Sequence, residues 1–242
     1  MCVQTLERCR KDLTYVDVIW KDINSRENFK IGVLTKNGKF TFKYNREGVV
    51  AAQKKGFKGL VAFPDFDKEY CHDELFPVFE LRLPDRRRKD LPEILKAYGM
   101  EKYDAFELLK RTEGKAPTDT LSFVEPIFME QVVNKEEIIR EFYVAGVRHC
   151  DTCSGLMNEE CTTQMTFHKG ELLELVSDPT NEHDPYAIKV MKGREKIGYI
   201  PAYYSEQVSK AIALGRKVNC RVKYFRTENS CQECLRIILI IE

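Results

Sequence analysis

The chain has 242 residues and a hydrophobic share of 43%, enough apolar mass for one or two packed domains and too much for wholesale disorder. Its 39 basic and 38 acidic residues leave a formal charge of +1, which excludes a histone-like coat for polyanions. The longest apolar run, Leu235–Ile241, is strand-sized and well short of the ~20 residues of a membrane-spanning helix.

Met1–Leu13 is too charged for a secretory signal, so the expected location is cytoplasmic, with no membrane partner. The nine cysteines then read as thiols or metal ligands rather than disulfides. In chain order, Tyr15–Trp20 is β-branched and aromatic and reads as a strand. Ile31–Tyr44 holds two alternating segments around Asn37-Gly38, the signature of a hairpin with a type I′ turn. Phe40, Phe42 and Tyr44 fall on one face of it. Val61–Asp85 is rich in proline and aromatics without a clean period. Two helices follow, Pro92–Tyr98 stopped by Gly99 and Asp104–Arg111 capped by Asp104, and Thr118–Val124 returns as a strand. The basic run Arg86–Lys89 lies between Asp85 and Asp90 and reads as a solvated loop.

These residues carry a resemblance. The phrase IGVLTKNGKFTFKY, then HDELFPVFELRLPD, the helix pair and the closing strand resemble the N-terminal subdomain of HipA-type toxin kinases over Ile31–Pro126. Phosphoryl transfer needs a phosphate-cradling loop, a lysine, a base and metal ligands in fixed relation. No glycine-rich phosphate loop or kinase catalytic motif follows Pro126, so the expectation is an accessory domain and not an enzyme.

In the second half, Asn134–Glu137 has the spacing of a capping box and predicts a helix start. Strands are expected at Phe142–Arg148, Glu171–Val176, Ala187–Met191, Lys196–Ile200, Val218–Phe225 and Leu235–Ile241. Ser205–Leu214, stopped by Gly215, reads as a short amphipathic helix. The fold class is therefore α+β: a small N-terminal subdomain over residues 1–127, then an OB/SH3-like β-barrel over residues 128–242.

Asp178, Pro179, Asn181, Asp184, Ala187, Ile188, Val190, Gly193, Ile197, Gly198, Tyr199 and Pro201 fall at the spacing of a HIRAN domain, which this half resembles. The resemblance implies a barrel that captures the 3′ end of single-stranded DNA. By it, Arg148 stands where the family keeps an arginine, His149 where well-studied members have tyrosine, and His183 where an aromatic often precedes the aspartate. The chemistry fits these residue types. A carboxylate such as Asp184 accepts a hydrogen bond from a terminal hydroxyl and repels a phosphodiester, and a guanidinium grips phosphate bidentately. Tyr199, Tyr203 and Tyr204 are candidate stacking partners or half-buried structural tyrosines, and Asp184 is either the hydroxyl acceptor or a turn-former. Asp178 and Asn181 read as turn residues that bond their own backbone. Reading an end through one or two phosphates predicts a shallow salt dependence.

Cys150-x-x-Cys153 and Cys231-x-x-Cys234 make a Cys₄ zinc site if they meet in space, and otherwise are thiols or a redox pair. Functionally, the leading expectation is a protein that binds single-stranded DNA 3′ ends. The alternative is an antitoxin-like regulator that contacts a separately encoded HipA-type kinase.

Overall fold

The computed structural model describes residues 14–25, 27–116, 119–147, 165–226 and 234–242. The chain divides into two units, Met1–Pro126 and Ile127–Glu242.

In the first unit, β1 (Thr14–Lys21), β2 (Asn28–Asn37), β3 (Lys39–Tyr44), β4 (Glu69–His72) and β5 (Leu121–Val124) form an antiparallel sheet of order β4-β3-β2-β1-β5. The predicted alternation holds: Phe40, Phe42 and Tyr44 are buried and Lys43 is exposed. The hairpin falls at Asn37-Gly38, but its turn is not type I′. Asn37 pairs with Lys39, and Gly38 takes the reversal at φ +69°.

Helix α1 (Arg46–Gln53) has no counterpart among the sequence expectations; it buries Val49 and Ala52. Its signal is Asn45, whose side chain accepts from the Gly48 amide at 2.7 Å. Helices α2 (Pro77–Glu80), α3 (Leu91–Ala97) and α4 (Ala105–Thr112) follow, and Asp104 caps α4 by accepting from the Glu107 amide at 2.9 Å, as predicted. The aperiodic aromatics of the middle segment fill the core. Phe63 packs on Phe42 with ring centroids 4.5 Å apart, and Phe79 on Phe123 at 4.8 Å. The buried Tyr44 hydroxyl donates to the Phe63 carbonyl at 2.8 Å and accepts from the Leu60 amide at 2.9 Å. Arg86 pairs with Glu80 and Arg88 with Asp90, so acids neutralise half of the basic run.

In the second unit, β6 (Ile138–Tyr143), β7 (Leu172–Ser177), β8 (Ile188–Lys192), β9 (Glu195–Tyr199), β10 (Val218–Phe225) and β11 (Leu235–Ile241) form a sheet of order β6-β11-β10-β7-β8-β9. Among the described residues two helices accompany it, α5 (Met129–Val133) and α6 (Ala202–Ala213). The sheet curls into a half-barrel whose outer strands are pinned where Ala145, just past β6, bridges Tyr199, the last residue of β9. The Ala145 amide donates to the Tyr199 carbonyl at 2.9 Å, and the Tyr199 amide donates back at 2.8 Å. Gly198 makes this approach possible: a Cβ there would lie 2.4 Å from the Ala145 carbonyl oxygen.

Two expectations are corrected here. Asn134–Glu137 ends a helix instead of starting one: α5 stops at Asn134, Lys135 takes φ +59°, and the Glu136 amide donates to the Gln131 carbonyl at 3.0 Å. This is the left-handed stop that closes helices. The β-branched pair Ile138-Ile139 then pairs with β11. For the same reason the first strand runs over Ile138–Tyr143 and not Phe142–Arg148. Arg140, buried within it, hides the alternation of IIREFY.

Candidate nucleic-acid interface

The connection between β7 and β8, residues 178–187, carries the candidate end-binding residues. Backbone bonds close it: the Asp178 amide donates to the Ala187 carbonyl at 2.8 Å, and the Ala187 amide donates to the Asp184 carbonyl at 3.0 Å. Inside it, the Asn181 side-chain oxygen accepts from the amides of His183 at 2.9 Å and Asp184 at 3.2 Å. This is the Asx-turn behaviour expected of Asn181.

Asp184 does part of the same work. Its Oδ1 accepts from the Tyr186 amide at 2.8 Å. Among the described residues, no hydrogen bond engages its Oδ2. One carboxylate oxygen therefore fixes the turn while the other is uncommitted. His183 is exposed beside it.

Asp178 departs from its expected role. Its carboxylate turns to side chains rather than to its own backbone, accepting from the Tyr199 hydroxyl at 3.0 Å and from Thr180 at 3.1 Å, with the Lys189 ammonium 3.1 Å away. The bond from Lys189 holds the Asp178 carboxyl below the ordinary carboxylate range. Lys189 and Tyr199 are opposite one another across β8 and β9. The half-buried ring of Tyr199 is thereby tied to the base of the loop that bears His183 and Asp184. Lys196 extends over that ring, its ammonium 5.3 Å from the centroid.

The other tyrosines differ. Tyr204 is buried and packs on Phe142 at 5.1 Å, so it is a core residue and not a stacking surface. Tyr203, half-buried in the first turn of α6, meets Tyr204 edge-on at 4.8 Å. Tyr186, 42% exposed in the loop itself, is an aromatic that the spacing pattern does not single out.

Arg148 and His149 lie outside the described residues, immediately after the buried Val147. Cys150, Cys153 and Cys231 also lie outside them, and Cys234 is buried just before β11. Among the described residues, no group of three or more His, Cys, Asp or Glu is placed to hold a metal, and no helix is long and apolar enough to cross a membrane. A cavity of about 320 Å³ in the first unit, at the tip of the β2–β3 hairpin, has its charged lining paired: Lys36 with Asp104 at 2.8 Å and Glu107 with Arg111 at 3.0 Å.

Residues 140–236 match the model of the HIRAN domain. The matched segment runs from within β6 to the second residue of β11 and contains the whole loop, Tyr199 and α6. Two solved structures are similar to this chain. The HIRAN domain of human HLTF shares 18% identity, covers 43% of this chain and 74% of its own, and has a TM-score of 0.31. A protein from Lactobacillus plantarum shares 19% identity, covers 43% of this chain and 96% of its own, and also has a TM-score of 0.31. No curated protein is similar enough to this chain to count as a relative. Within the matched segment Asp184 and His183 share one loop with Asp178, which holds Tyr199, and Lys189 and Lys196 beside them are residues that the sequence did not single out.

Proposed function

We propose that the HIRAN segment binds DNA by capturing the 3′ end of a single strand. HIRAN domains bind DNA, and residues 140–236 match that family. The observation that carries the finer reading is Asp184. It is held in a turn by one oxygen while its Oδ2 has no partner among the described residues. A carboxylate presented in this way accepts a hydrogen bond from a terminal hydroxyl and repels a phosphate in its place. Tyr199 supplies a stacking face worth about 1–3 kcal/mol per base, and Arg148 the phosphate contact. By the same family resemblance His149, His183 and Tyr203 are further candidate DNA contacts. The near-neutral charge suits recognition through few phosphates.

In this reading the first unit is an accessory domain of the HipA N-terminal kind that binds a protein partner. Its element order, a hairpin, a helix pair and a returning strand, supports the comparison. We further propose a structural zinc held by Cys150, Cys153, Cys231 and Cys234, supported by the donor set alone. One zinc per chain in the purified protein is the expected result, and metal-free folded protein rejects it.

The binding experiment uses three labelled oligonucleotides, with a 3′-hydroxyl, a 3′-phosphate or only a 5′ overhang. Tight binding of the first and loss on 3′-phosphorylation is the expected result. Equal behaviour of all three removes end capture and favours a regulator that works through protein contacts.

A further inference from the structure

Four cations lie along the β8–β9 hairpin, and the structure separates them. Lys189 is neutralised by Asp178 at 3.1 Å and Lys192 by Glu171 at 2.7 Å. Lys196 and Arg194 are exposed, and among the described residues no carboxylate lies within ion-pair distance of either. The two are not equivalent. Arg194 sits at the turn, whereas the Lys196 ammonium rests 5.3 Å from the centre of the Tyr199 ring. The Tyr199 hydroxyl is held in turn by Asp178, so the ring is anchored, whereas Lys196 is exposed. Exposed cation–π contacts are weak, and a four-carbon stem lets the ammonium leave the ring at little cost.

We infer that Lys196 is a phosphate-binding residue of the strand-end site: the ammonium that covers Tyr199 in the free protein moves to a backbone phosphate when a base takes its place. The inference rests on the proposed end-binding reading and adds to it a cation that the sequence did not single out. The geometry favours this role because a base stacked on Tyr199 brings its own phosphate within about one nucleotide, the reach of the lysine stem. Losing the ring contact and gaining a charge-assisted bond is a favourable exchange. A contact of this kind also leaves its own signature, because each phosphate neutralised on a single strand contributes about 0.7 to the salt slope.

The test measures binding of a 3′-hydroxyl oligonucleotide to the full chain by fluorescence anisotropy across a salt series. The proteins are the natural one, Lys196→Ala, Lys196→Arg and Arg194→Ala. Lys196→Ala is expected to weaken binding about tenfold at low salt and to flatten the slope by about 0.7. Lys196→Arg should restore both. Arg194→Ala should bind as the natural protein does, because its cation is remote from the ring. An unchanged slope in Lys196→Ala, or equal losses in Lys196→Ala and Arg194→Ala, overturns the inference while leaving end capture intact. Failure of the natural protein to bind any oligonucleotide overturns both.

Discussion

The hydroxyl of Tyr199 donates a 3.0 Å hydrogen bond to the carboxylate of Asp178. It joins the last residue of β9 to the base of the loop that carries Asp184, so the Tyr199 ring and the Asp184 carboxylate share one support. The pair predicts a coupling. Tyr199→Phe and Asp178→Ala should each weaken oligonucleotide binding several-fold, and the double variant should be little worse than either single one. Losses that multiply in the double variant would show that the two residues act separately.

The same carboxylate sets a pH window. The bond from Lys189 depresses the folded-state value of Asp178, so folding favours the ionised form. Its contribution to stability is therefore fully present above the ordinary carboxylate value of about 3.9 and is lost as pH falls through the depressed folded value. Acid titration followed by circular dichroism should show the Asp178→Asn variant losing less stability than the natural protein in that acid range. Parallel acid unfolding of the two proteins contradicts the assignment.

One oxygen of Asp184 is committed to its turn and the other is proposed to accept from a terminal hydroxyl, and its substitutions should separate the two. Asp184→Asn keeps an oxygen to accept from the Tyr186 amide but removes the charge. It should therefore erode the preference for a 3′-hydroxyl over a 3′-phosphate more than it reduces overall affinity. Arg148→Ala should weaken binding to every kind of end. Competition between the two oligonucleotides gives both numbers, and an Asp184→Asn protein that discriminates as before removes the acceptor role.

Much of this is legible in the sequence. Strands β10 and β11 fall at their predicted limits, β11 because its isoleucine-rich run LRIILII announces itself, and Asp104 is recognisable as a cap. The loop Asp178–Ala187 is recognisable from its spacing of aspartate, proline and asparagine. What the sequence does not display is partnership across strands. Nothing local marks Asp178 as the anchor of Tyr199, 21 residues away, or Lys196 as the cation over its ring. The helix expected at Asn134 fails for a related reason: the capping-box spacing is local, while the strand that displaces it is stabilised by β11, at the far end of the unit.

Gly198 is the residue on which the closure of the half-barrel depends. A methyl group there would meet the Ala145 carbonyl oxygen at 2.4 Å and Val144 Cγ1 at 2.7 Å, and backbone cannot yield as a flexible side chain can. Gly198→Ala is expected to cost about 1–3 kcal/mol in urea unfolding and to break the Ala145–Tyr199 bridge. Faster amide exchange at Ala145 and Tyr199 is the local readout. A variant with natural stability and protected amides would mean the bridge is not needed.

Arg216 poses the sharpest stability test. Its buried guanidinium donates to a ring of backbone carbonyls. Nε reaches Glu242 at 2.7 Å, Nη1 reaches Gln131 and Val132, and Nη2 reaches Glu136 at 2.7 Å and Ile241 at 3.4 Å. These acceptors around one cation tie the end of α5 and its following turn to the end of β11. Arg216→Met keeps the apolar stem but leaves the carbonyls without their donor, and should cost at least about 3 kcal/mol in chemical unfolding. Arg216→Lys should recover only part of that, because an ammonium offers three donors from one point where the guanidinium offers five in a planar fork. Full recovery by lysine would show that charge alone matters at this position, and an unaffected methionine variant would show that the carbonyls are satisfied by other means.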